Sequence, residues 1–241
     1  VNSRTDNDLI SEYARTHSEA SFAELVERHI SLVYSVAVRV VADPHLAEDV
    51  TQTTFATLAR EAHRLAGRNF LSSWLHRTAS NQASNLVRRE MRRRSREQES
   101  YAMQTPEEEA GWKKIAPFLD AAIDTLHESD RNLIVLRYFE KKTSGGIGLA
   151  LKLSEEAAQK RISRALERLR KILAGQGANI STVTLGSLII AQGVIAAPLG
   201  LSASVSTAVV AGGALAGGIA LSTIKLMLMS KLKIVPACGP F

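Results

Sequence analysis

Apolar positions recur at three- and four-residue spacing through most of the first 170 residues, and no segment alternates as a half-buried strand would. A short helix is predicted from about Asp6 to Thr16 and a longer one from about Ala20 to Ala42. In the second, Phe22, Leu25, Val26, Ile30, Val33, Tyr34, Ala37 and Val41 form one buried stripe. Asp43-Pro44 ends it, because proline cannot continue the hydrogen-bond ladder. A third helix runs from near His45 to about Glu61, and Gly67 marks a loop. A fourth spans roughly Phe70 to Arg94, with Leu71, Trp74, Leu75, Thr78, Ala79 and Leu86 inward. Trp112 and Pro117 lead into a further helix bearing Phe118, Leu119, Ala122, Ile123 and Leu126. The pattern predicts an all-α protein built from small helical domains.

From Leu126 to Leu173 the pattern sharpens. Ala158, Ile162, Ala165, Leu166, Leu169 and Leu173 share one face of a helix, and Lys160, Arg161, Arg164, Arg168 and Lys171 share the other. Ser154 is a good N-cap, and Glu155 and Glu156 suit the positive end of the helix dipole. A short apolar run, Ile147 to Leu151, precedes it across the break Lys152-Leu153-Ser154. Short helix, turn and basic helix make a helix-turn-helix pattern, whose second helix enters the major groove of DNA. A solvated surface helix would carry the same residues. Gly145, Gly146 and Gly148 oppose the first helix, since each costs about 1 kcal/mol relative to Ala.

Composition narrows the partners. The formal net charge is +6, which favours an acidic partner such as nucleic acid or an anionic membrane. Acidic residues stop at Glu167. With one cysteine, Cys238, there is neither an internal disulfide nor a cysteine-based zinc site. The first fifteen residues are polar and do not read as a signal peptide. The chain starts on Val1, as a fragment or an unusual start would. Ser95 to about Gly111 is polar with few apolar anchors and reads as a linker.

Three groups of residues together resemble the extracytoplasmic-function (ECF) sigma factors, the compact two-domain class of bacterial RNA polymerase specificity subunit. They are Ala47-Glu48-Asp49-Val50-Thr51-Gln52 with Phe55; Trp74-Leu75-His76-Arg77-Thr78-Ala79-Ser80-Asn81 with the arginines beyond it; and a C-terminal set. That set comprises Leu126, Asp130-Arg131, Leu136-Arg137-Tyr138, Ser154-Glu155, Lys160-Arg161, Arg164-Ala165 and Leu169-Arg170. Gly146-Ile147-Gly148 departs from the family's usual Glu-Ile-Ala. The resemblance implies a sigma region 2 bundle over residues 6–95, a linker over 96–111 and a region 4 helix-turn-helix over 112–174, followed by an apolar extension over 175–241. It implies that Glu48, Asp49 and Gln52, with Phe55 packing beneath, dock on the clamp of the largest catalytic polymerase subunit. It places Ser72, Ser73, Arg77 and Asn81 at a pocket for an unstacked minus-ten base, and Arg88, Arg89 and Arg92 on phosphate. It directs Gln159, Lys160, Ser163 and Arg164 to minus-thirty-five base edges, with Arg161 and Arg168 on phosphate.

The partners implied are core RNA polymerase, promoter DNA and an anti-sigma factor, in the cytoplasm. No metal, cofactor or catalytic residue is expected. The chain lacks a Gly-x-Ser-x-Gly elbow, a phosphate loop and a His-Glu-x-x-His motif, and its six His are scattered. A helix-turn-helix regulator acting without polymerase is the alternative. Such a protein has no use for the Glu48–Phe55 surface.

The extension is ambiguous. Ile180 to Ile224 carries no charge and no His. Val205 to Ile224 has the roughly twenty residues of a membrane span, and Pro198-Leu199-Gly200 suits a turn. Basic residues flank both ends, as in a hairpin with both ends on the cytoplasmic side, so membrane tethering through 183–229 is one expectation. Richness in Ala, Gly, Ser and Thr equally suits a flexible extension, or a helical hairpin packed on the sigma domains.

Overall fold

The computed structural model describes residues 4–67, 70–94 and 107–213, excepting the side chains of 89–94, 107–110 and 210–213. The described residues form no strand. Four helices make the N-terminal bundle: α1 (Asp6–Thr16), α2 (Glu19–Val41), α3 (Pro44–Leu65) and α4 (Leu71–Arg94). Their starts are capped by local chemistry. Thr5 and Asp8 cap α1 reciprocally, Ser18 caps α2, and Asp43 followed by Pro44 opens α3. Each such cap is worth about 1 kcal/mol. The core unites Leu9, Phe22, Leu25, Val33, Phe55, Leu58, Leu75 and Ala79, all shut off from solvent.

The second bundle comprises α5 (Glu107–Thr125), α6 (Glu128–Ile134), α7 (Ser144–Leu151) and α8 (Glu155–Gly175). Helix α5 begins within the stretch expected as linker and continues through Pro117, which lies on its solvent side. Residues 95–106 of that stretch lie outside the described residues. Helix α6 widens into a π-turn over Val135–Phe139, closed by Glu140 N–H donating to the Val135 carbonyl at 3.0 Å. Helix α7 forms despite its glycines, and one of them is required. A Cβ on Gly148 would lie 2.8 Å from the Leu153 carbonyl oxygen, so the family's Ala would collide with the turn.

The extension does not trail away from the bundles. Helix α9 (Thr182–Gln192) buries Leu185 and Ile189 in the second core, and α10 (Leu201–Gly213) buries Leu201 and Val205 in the first. Each such side chain removed from water contributes about 1.5–3 kcal/mol. Gly186 lets α9 approach closely, since a Cβ there would meet Tyr138 Cε1 at 3.1 Å. The turn at Pro198-Leu199-Gly200 forms, with Gly200 at φ +83°. The flexible extension is therefore corrected for residues 178–209, which are packed. No helix among the described residues is long and apolar enough to cross a membrane, so nothing described supports tethering. From residue 214 onward the candidate span lies outside the described residues.

Candidate nucleic-acid interface

Three exposed faces carry most of the residues singled out by sequence. On α3, Asp49 is exposed, Glu48 and Gln52 are half-buried, and Phe55 is fully buried beneath them. Thr54 and Thr57 pair with the Gln82 amide at 2.9 and 3.0 Å and fix this helix against α4.

On α4, Arg77, Asn81 and Arg88 are exposed and recur at four and seven residues, so they share one side of the helix. Asn81 can offer an amide donor and acceptor to a base edge, with an arginine one turn before it. Ser72 and Ser73 are not on a rim. They are 2 % and 3 % exposed, within a stripe that continues through buried His76 and Ser80. Both serines are thus buried in this arrangement, on the side of α4 whose Ser80 donates to Asp124 of α5. The side chains of Arg89 and Arg92 lie outside the described residues. Trp74 is half-buried against the first core.

On α8, Gln159, Lys160, Arg161, Ser163 and Arg164 are all exposed. Glu156, Gln159, Lys160, Ser163 and Arg164 line one shallow open concavity. Ser154 accepts the Ala157 N–H at 3.2 Å and starts the helix. Leu153 N–H donates to the Gly148 carbonyl at 2.8 Å, which sets the angle at which α8 leaves the turn. Arg168 is largely exposed, but its Nη1 donates to Asp130. Arg131 is buried and donates to the carbonyls of Asp124 and Leu126, sealing the end of α5. The Asp130-Arg131 pair thus anchors the domain from both sides.

Sequence reasoning missed the residues that join the bundles. Arg39 of α2 donates from Nε and Nη2 to the Asp120 carboxylate of α5, at 2.8 and 2.9 Å. Both side chains are buried, at 7 % and 2 % exposed. His76 Nε2 lies 3.1 Å from Asp120 Oδ1, and His76 Nδ1 has no hydrogen-bond partner among the described residues. The Phe139 ring stands edge-on to His76 at 5.3 Å and lies 5.6 Å from the Arg39 guanidinium. Ser80 donates to Asp124. Burial alone would raise the Asp120 pKa, but the Arg39 charge and hydrogen bonds, with His76, outweigh it and hold the carboxyl at about 2. Burial is the largest influence on Asp124 and pushes it up, against the Ser80 hydrogen bond and the nearby Arg131 charge. The available signal was Arg39 itself, a cation inside the apolar run Val36-Ala37-Val38-Arg39-Val40-Val41.

Among the described residues, Asp6, His29 and Glu140 bring potential ligand atoms within 4.8 Å of one another. Each carboxylate already faces a cation: Asp6 pairs with Arg28 and His29, and Glu140 with Lys142. This group is an ion-pair network in which a metal would have to displace existing partners.

Residues 25–93 match the family model "Sigma-70 region 2", and residues 122–171 match "Sigma-70, region 4". The chain is 32% identical over 160 residues to the ECF RNA polymerase sigma factor SigE of Mycolicibacterium smegmatis, covering 64% of this chain and 62% of SigE. It is 30% identical over 169 residues to the RNA polymerase sigma factor CarQ of Myxococcus xanthus, covering 66% of this chain and 92% of CarQ. Among solved structures, CnrH in complex with the cytosolic domain of CnrY gives a TM-score of 0.37 at 22% identity, over 70% of this chain and 97% of that one. RpoE in complex with the anti-sigma factor NepR, from Bartonella quintana, gives 0.31 at 19% identity, over 63% and 94%.

Proposed function

The chain belongs to the ECF class of sigma-70-family sigma factors, and from that premise we propose that it supplies core RNA polymerase with promoter recognition and DNA melting. Its partners in this proposal are core polymerase, promoter DNA and an anti-sigma regulator. It has no active site of its own; the chemistry belongs to the polymerase, which places the chain in the cytoplasm.

The observation that carries the proposal is the presence on one chain of an acidic face on α3 and two exposed, arginine-bearing polar faces, on α4 and α8. Glu48, Asp49 and Gln52 dock on the clamp of the largest catalytic subunit, stiffened from below by Phe55. Arg77 and Asn81 meet the melted minus-ten strand. Trapping an unstacked base costs a few kcal/mol, and a fixed amide beside a guanidinium offsets part of that cost. Gln159, Lys160, Ser163 and Arg164 meet the minus-thirty-five element in the major groove, while Arg88, Arg161 and Arg168 hold phosphate.

The test is initiation by purified core polymerase on a mixed template, with and without the full chain. Selective transcripts are expected only with it. Asp49→Arg should abolish co-purification with core polymerase. Asn81→Ala should retain co-purification but lose permanganate reactivity at the minus-ten element. Equal initiation with and without the chain refutes the proposal.

A further inference from the structure

The DNA-directed faces of α4 and α8 are both open to solvent, yet the bundles that carry them are locked side by side. The names of the two promoter elements place them about 25 base pairs apart, or ~85 Å along B-form DNA at ~3.4 Å per step. A packed body of about 200 residues is only ~40 Å across. The arrangement in the structure therefore cannot address both elements at once, and the bundles must separate.

Besides the Arg39–Asp120 pair, the extension opposes separation. It enters the second core through Ala178, Leu185 and Ile189, and Thr182 donates to Glu167 of α8 at 2.6 Å. It then crosses α2. Arg39 donates to the Gly193 carbonyl, Ser35 Oγ accepts the Ile195 N–H at 2.8 Å and donates to the Ile195 carbonyl at 3.1 Å, and Ser31 Oγ accepts the Ala197 N–H at 3.3 Å. It ends in the first core through Leu201 and Val205. The crossing segment is therefore bonded to one side of α2, and the helices on either side of it are seated in different domains.

We propose that residues 178–209 are an intramolecular clamp that holds most molecules in a closed arrangement of the two DNA-binding domains, so that promoter binding draws on the minor, released form and the native chain initiates at a low basal level. The inference rests on the sigma-factor function proposed above. The clamp leaves the base-reading side chains uncovered and acts by fixing the distance between them.

The test uses the full chain with Cys238→Ser, so that two introduced cysteines carry spin labels. Arg60→Cys in α3 and Lys171→Cys in α8 occupy exposed positions, one in each domain. Electron-electron resonance distances and core-polymerase initiation are measured for the native clamp and for Leu185→Asp with Leu201→Asp. The native clamp should give one short distance. The variant should give a longer, broader distribution and about tenfold more transcript. A second pair, Ser31→Ala with Ser35→Ala, removes the crossing hydrogen bonds together with the local bond from Ser35 Oγ to the Ser31 carbonyl, and should move both readouts several-fold in the same direction, with the helical circular dichroism retained. Unchanged distances in both pairs overturn the proposal. So do separated labels without a rise in initiation, which would make the extension structural and not inhibitory. If no version, native clamp included, co-purifies with core polymerase, the failure belongs to the sigma-factor function.

Discussion

Replacing Asp120 with Asn tests how the domains are joined. The carboxylate accepts two hydrogen bonds from Arg39 and is nearly devoid of solvent. Its pKa is held at about 2, below the ordinary 3.8, so its surroundings favour the charged form by roughly 2–3 kcal/mol. Breaking one partner of a buried pair costs about 3–5 kcal/mol, because the other charge is left stranded. Asn keeps the shape and one acceptor, so Asp120→Asn should cost about 2–4 kcal/mol. The chain has two tryptophans, and they divide the labour: Trp74 sits in the first bundle and Trp112 in the second. Urea unfolding of Trp112→Phe and Trp74→Phe proteins therefore reports each bundle separately. With Asp120 intact, the two midpoints should coincide. In Asp120→Asn the second bundle should unfold roughly 1–1.5 M earlier, for a slope near 2–3 kcal/mol per molar. Arg39→Met combined with Asp120→Asn should cost less than the two changes summed, by about 2 kcal/mol or more. A loss below about 1 kcal/mol, or an additive cycle, would refute the buried pair as the coupling element.

Acidification should act on the same pair. Asp120 and Asp6 both have folded pKa values of about 2, below the ordinary 3.8, so their contribution is full above about pH 4 and is lost as pH falls through about 2. Asp124, pushed up by burial, works in the opposite direction. The urea midpoint should drop between pH 4 and pH 2, and a flat profile there would count against the assignment. Two alanine substitutions in α7 should have opposite signs. Gly148→Ala puts a methyl 2.8 Å from a backbone oxygen and should cost about 1–3 kcal/mol, whereas Gly145→Ala has ordinary 3.5 Å contacts and should gain up to about 1 kcal/mol. Thermal melts of the two proteins decide it. Arg164→Ala should relax upstream specificity at one base step by about 1–3 kcal/mol, while Arg168→Ala should weaken all duplexes alike and lower the salt slope by about 1, both read from DNA titrations across salt.

The helices α1 to α4 and α8 were legible because each hides one apolar stripe from water, and that stripe repeats with the period of the helix. The exposure of Gln159, Lys160, Ser163 and Arg164 followed from the same arithmetic, applied to the opposite face. The burial of Ser72 and Ser73 was not legible for a related reason. Helix α4 is buried on two sides, and its second buried side, through His76 and Ser80, is polar. A polar contact face has no hydrophobic signature, so it reads as solvent-facing. The α7 glycines looked like a weakness until the Leu153 carbonyl was found where a Cβ would go.

Local pattern was enough for the helices, their caps, the two bundles and the exposed basic face of α8, since these depend on neighbours within a few turns. Folding in three dimensions settled which bundle faces which, and where the uncharged extension goes. Arg39 meets Asp120 across 81 positions, and Ser35 meets Ile195 across 160. A hydrophobic segment declares that it avoids water. Whether it finds lipid, another molecule or a crease in its own chain depends on shape and on hydrogen-bond partners brought together from distant parts of the chain.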